Sequence, residues 1–201
     1  MSNIFSLKKS YNIDGDKISE WFAEDIKSLK NAKPNMVVLP GILTKLRSTY
    51  GLENELEFIQ DIYNDLELSV HMINMCVIKP LSPVYPWISK IRSEDFDPRK
   101  DRLFDHSLPT RNCMLYVPIN RTKSSIHWID RSEHIVDEEI KTKKYNIIET
   151  TEFNDSALIV RSDTACMFDN TKNPDYLLFL QIAFDDNPTF LEIVEKYGKL
   201  S

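Results

Sequence analysis

Near residue 68 the hydrophobic period of this chain changes, and that change limits its fold more than any other feature. Before it, apolar residues recur at helical spacing: Ile18, Trp21, Phe22, Ile26 and Leu29 form one stripe, and Leu56, Ile59, Ile62, Tyr63 and Leu66 another. Such spacing predicts helices over 14–30, capped by Asp14 or Asp16, and over 53–66. Between them, Met36-Val-Val-Leu39 ends at Pro40-Gly41 and reads as a strand or extended segment. After residue 68 the chain breaks into short β-branched and aromatic runs separated by turn residues.

These runs are Val70–Ile78, Tyr85–Ile91, Cys113–Ile119, Ser125–Asp130, Tyr145–Ile148, Ala157–Val160, Cys166–Phe168 and Tyr176–Phe184. The charged stretches 93–110 and 131–144 read as loops. Asn120-Arg-Thr-Lys123 is the expected turn of a hairpin between its flanking runs. Asn187-Pro188 predicts a helix start, with Asn187 as cap and the helix running through Tyr197. Helices followed by about seven or eight short strands predict an α+β domain, with a sandwich, jelly roll or barrel flanked by helices. One domain is expected over 1–201, with a mainly helical flank over 1–67 and a β-rich portion over 68–197.

Composition removes several function classes. Glycine occurs only at Gly15, Gly41, Gly51 and Gly198, so no glycine-rich phosphate loop can be assembled. A net charge of -6 argues against non-specific nucleic-acid binding. The opening Met1-Ser-Asn-Ile-Phe-Ser-Leu-Lys-Lys9 has no apolar signal core, and no apolar run approaches membrane-spanning length. Cys76, Cys113 and Cys166 are odd in number and lie in apolar runs, which reads as buried free thiols. Together these features predict a cytoplasmic protein with no membrane partner.

The segments Arg111-Asn-Cys-Met-Leu-Tyr-Val-Pro-Ile-Asn120 and Ile126-His-Trp-Ile-Asp130 resemble the strand motifs of 2-oxoglutarate/Fe(II)-dependent oxygenases, in their prolyl/aspartyl hydroxylase-like and phage-type branches. Ala157-Leu-Ile-Val160, Asp169-Asn170 and Leu177-Leu-Phe-Leu-Gln-Ile-Ala-Phe184 are similar to the family's last strands. The resemblance covers about residues 68–197 and implies a double-stranded β-helix (jelly-roll) core with flanking N-terminal helices and a C-terminal helix. It also implies Fe(II), held by two histidines and a carboxylate, with 2-oxoglutarate gripped by a basic residue. The sequence departs from that pattern. The His-x-Asp position falls on Trp87-Ile88-Ser89 in one register and on His106-Ser107-Leu108 in another. The distal histidine falls near Ala165 or Cys166, and the basic residue near Tyr176 or Leu177.

What the resemblance then implies is an oxygenase-fold pseudoenzyme that expects no cofactor and binds a protein or small-molecule partner. The alternative is an active hydroxylase with an atypical ligand set drawn from His106, His127 and Cys166, using Fe(II) and 2-oxoglutarate. A further alternative is a viral structural or assembly jelly roll. Taken residue by residue, His106 reads as a loop histidine, and His127 as a hairpin histidine pointing away from Asp130 unless a bulge intervenes. Cys166 reads as a core thiol, and Tyr85, Trp87, Tyr116 and Trp128 as cross-strand packing.

Overall fold

The computed structural model describes residues 2, 4–7, 9, 11, 13, 15–28, 35–39, 57–87, 111–120, 122–137, 142–162 and 164–198. The charged stretch expected over 93–110, with His106, lies outside them.

One strand that is buried along its whole length explains the architecture. β10 (Leu177–Phe184) is buried at every position, so it shows no alternation and must have neighbours on both faces. It lies inside a sheet of six strands, between β3 (Val70–Ile78) and β5 (Cys113–Pro118). β8 (Leu158–Arg161) pairs with β5, and β1 (Ile4–Ser6) closes that edge. β2 (Met36–Leu39) closes the other edge beside β3, so the N-terminal part supplies strands as well as helices. A second sheet has four strands in the order β4 (Pro83–Trp87), β9 (Ala165–Asp169), β6 (Ser124–Asp137) and β7 (Thr142–Phe153). All pairings in both sheets are antiparallel. From β3 onward the chain crosses between the sheets at every step except β6 to β7, which pair within the small sheet, and this makes a double-stranded β-helix, or jelly roll.

The period of two divides each strand between two cores. Ile73, Met75 and Val77 of β3 join Leu115 and Val117 of β5 and Leu178, Leu180 and Ile182 of β10 on the face away from the small sheet. Helices cover that face: α1 (Gly15–Trp21), α2 (Ala23–Ser28), α3 (Glu57–Leu66) and α4 (Phe190–Gly198). α3 contributes Phe58, Ile62 and Leu66, buried one turn apart. Each stabilises the docking by about 2 kcal/mol of apolar burial. The alternate residues face the second sheet: Cys76 and Ile78, Met114 and Tyr116, Leu158 and Val160, Leu177 and Phe179.

Four expectations are corrected. The single helix over 14–30 is two short ones, with Phe22 as the turn between them and buried against the sheet. β5 and β6 do not form a hairpin: β5 pairs with β10 and β8, and β6 with β7 and β9, so 119–123 carries the chain from one sheet to the other. Of the stretch 131–144, residues 131–137 and 142–144 are strand and not loop, because β6 runs through Asp137 and β7 starts at Thr142, with register shifts on the way. Its backbone pairing needs no apolar face, which is why its polar sequence hides it. The last helix starts two residues later than expected. Thr189 caps it, its Oγ1 accepting from Glu192 N (3.2 Å) while Glu192 Oε2 accepts from Thr189 N (2.7 Å). Asn187 instead sits in a left-handed conformation (φ 46°), and its Oδ1 accepts from Asn112 N.

Candidate ligand site between the two sheets

The space between the sheets is filled from both sides. Tyr116 of β5 and Phe179 of β10 meet Phe153 of β7 and Phe168 of β9. Phe179 has ring centroids 5.0 Å from Phe168, 5.2 Å from Tyr116 and 5.3 Å from Phe153. Such distances are those of attractive aromatic contacts. The Tyr116 hydroxyl is held well above its usual pKa by burial, with Cys166 and Cys76 adding to the effect and Gln181 opposing it.

One step nearer β9's start lies a sulfur pair. Cys76 and Cys166 are both buried, and both thiols are pushed up by burial, Cys166 to about 12, with Cys166 adding to the shift of Cys76. Cys113, on the helix-facing side, is likewise raised by burial to about 12. All three are protonated at neutral pH and hidden from solvent. A thiol-exchange disulfide reagent is therefore expected to label none of the three in the native protein and all of them after unfolding. Labelling of Cys166 within seconds in native buffer would show that the space between the sheets is open.

Beyond the thiols come amides. Asn74 and Gln181 are cross-strand partners, and Asn74 Nδ2 donates to Gln181 Oε1 at 3.3 Å. Asn74 Oδ1, Gln181 Nε2 and the indole Nε1 of Trp128 have no hydrogen-bond partner among the described residues. Gln181 is near enough to favour ionisation of Tyr116, yet its Nε2 does not reach bonding geometry.

Of the residues singled out from sequence, His127 and Cys166 do not converge, and His106 lies outside the described residues. His127 and Cys166 face opposite sides of the small sheet. Ile126 and Trp128 point inward with Cys166, and His127 between them points out. His127 Nδ1 meets Thr150 Oγ1 at 2.9 Å, and its Nε2 lies 3.6 Å from Asp169 Oδ2. Asp169 is held below the usual carboxylate range. Partial burial opposes that shift, and hydrogen bonds from Thr171 and His127 outweigh it. The two residues therefore cannot share an ion. Among the described residues, no group of three His, Cys, Asp or Glu could hold a metal. β4 ends at Trp87, which pairs with Cys166 across the strands, and Ile88 and Ser89 lie outside the described residues.

Sequence reasoning missed Asn170, which is fully buried beyond β9. Its Nδ2 donates to Lys79 O (2.9 Å) and Asp175 O (3.1 Å), and its Oδ1 accepts from Ser124 Oγ (2.5 Å) and Asn173 Nδ2 (3.1 Å). Asparagine next to a strand-ending aspartate was the only available signal.

Iron with 2-oxoglutarate does not fit the described residues. Ala165 brings no donor atom, and β10 presents Leu177 and Phe179 to the interior where the resemblance places a basic residue.

No protein-family model matches the sequence, and no curated protein does. Solved structures do match. HygX from Streptomyces hygroscopicus, determined with nickel and 2-oxoglutarate bound, aligns over 94% of this chain and 84% of its own, with 10% identity and a TM-score of 0.50. A prolyl-4-hydroxylase from Pseudomonas putida aligns over 90% of this chain and 91% of its own (9% identity, TM-score 0.44). A viral collagen prolyl hydroxylase from Paramecium bursaria Chlorella virus-1 aligns over 91% and 96% (9% identity, TM-score 0.42). At such identities the likeness to HygX shows the fold alone, and that fold is oxygenase-like.

Proposed function

We propose that this chain is a binding protein built on the oxygenase fold, with the iron and 2-oxoglutarate chemistry given up. One observation carries the reading: the aromatic rings of Tyr116, Phe153, Phe168 and Phe179 are packed together between the sheets, with protonated thiols beside them. A dianionic cosubstrate and a dication need charged, hydrated or ligating walls, and burying them against rings and thiols carries a large desolvation penalty. Fold by itself does not specify reaction, so the site must decide. The partner on this reading is a small molecule or a protein met without covalent chemistry. No helix among the described residues is long and apolar enough to cross a membrane, and a cytoplasmic place of action belongs to the same proposal.

Calorimetric titration with Mn²⁺, an oxygen-stable stand-in for Fe²⁺, tests it, with and without 2-oxoglutarate. Folded protein should give no binding heat with either. Micromolar Mn²⁺ binding that tightens with 2-oxoglutarate would overturn the proposal in favour of an active hydroxylase, with His106 the next ligand to replace.

A further inference from the structure

We propose that the end of the barrel at the start of β9 recognises a neutral group carrying an adjacent hydrogen-bond donor and acceptor, such as a carboxamide or a pyrimidine edge. The proposal deepens the binding reading above and rests on it.

Three inward-facing side chains, two from the large sheet and one from the small, lie toward this end. Asn74 continues the inner row of Cys76 and Ile78 on β3, and Gln181 that of Leu177 and Phe179 on β10. Trp128 lies across from them on β6, paired with Cys166, which in turn acts electrostatically on Cys76 and Tyr116. Their exposures are 7%, 3% and 1%, yet each keeps an unpartnered polar atom. Buried polar groups in folded proteins are almost always paired, so three orphans on one inner surface need a reason.

The chemistry of the orphans names the class of ligand. Two carboxamides joined by one hydrogen bond leave one whole NH2 group and one carbonyl oxygen without a partner. That remains true if both amides are turned over, because donor and acceptor simply exchange places. The pair therefore offers a donor and an acceptor side by side, and Trp128 Nε1–H adds a second donor. The thiols and phenol beside them are neutral. Arg111 is the charged residue among the buried polar ones, but it stands two residues before Cys113, which faces the helices, and its guanidinium donates to Phe184 O. A neutral, planar, bifunctional edge satisfies this set. A carboxylate satisfies the donors and leaves the Asn74 oxygen facing like charge.

Uracil is a suitable probe, being rigid, uncharged and edged with both functions. In ¹H–¹⁵N spectra of the full chain, the Trp128 indole and Gln181 amide signals are expected to shift saturably at millimolar uracil, as suits so small a ligand. Trp128→Phe assigns the indole signal. The paired variant Asn74→Leu/Gln181→Leu removes both amides together, which spares the fold an unpaired partner, and should weaken binding at least about tenfold. If that variant does not fold, Trp128→Phe alone should weaken binding several-fold while keeping an aromatic ring in place.

Absence of a saturable shift in the wild-type protein overturns the inference and leaves ordered water as the partner of the orphans. So does a shift that survives the amide replacements, or a larger saturable response to 2-oxoglutarate alone. These outcomes are independent of the Mn²⁺ titration. Metal binding without a uracil response sinks both readings, whereas silence in both experiments sinks only this one.

Discussion

Phe179→Ala is expected to destabilise the fold by about 3–5 kcal/mol, the usual cost of removing a fully buried phenylalanine. Phe179 has no exposed surface, lies on the central strand of the larger sheet, and touches three other rings. Neighbouring strands hold those rings in place, so the surroundings can collapse only partly and a cavity remains. Urea unfolding followed by far-UV circular dichroism measures the effect as a lower midpoint at unchanged slope. A loss below about 1 kcal/mol would mean that the rings are not packed as a core, and the case against a cosubstrate pocket would fall with them.

Asn170→Ala is the second large effect, expected near 3 kcal/mol, because one truncation strands several buried partners at once. The carboxamide joins Lys79 after β3, Ser124 at the start of β6, and Asn173 and Asp175 before β10. Asn170→Asp should be worse at neutral pH, since a carboxylate cannot donate to the carbonyls of Lys79 and Asp175 and would face them as an acceptor. Thermal melts of the two variants beside the wild type test the order. Equal melting of all three would show that the network does not hold the sheets together.

Much of the fold was legible because several strands advertise themselves locally. Val70–Ile78 is bounded in sequence where it is bounded in space, since the turn at Pro80 and Leu81 follows it. Leu177–Phe184 is apolar at every position except Gln181. Sheet membership was not legible. Proximity in sequence argued for a β5–β6 hairpin, whereas the pairing is decided by β8, β9 and β10, far along the chain. The β6–β7 ribbon was hidden for a related reason, because backbone pairing with register shifts leaves no hydrophobic period to read. Of the candidate site, Cys166 was recognisable as a core thiol from its apolar neighbours. Tyr116, Phe153, Phe168 and Phe179 sit on four strands, and only the closing of the two sheets makes them one cluster. Asn74 and Gln181 lie in largely apolar strands, and only the register of those strands makes them partners.

The antiparallel pairing of β3 with β10 also orders events during synthesis. Ile78 pairs with Leu177 and Cys76 with Phe179, so a strand made early waits for one made near the end of the chain. Until then one side of Val70–Ile78 has no long partner, and no amount of local propensity can close the barrel. Non-local pairing of this kind slows folding and exposes apolar edge to other chains in the interval. On a ribosome the nascent chain cannot complete its central sheet before Phe184 has emerged, which makes the C-terminal strand the step that commits every earlier one.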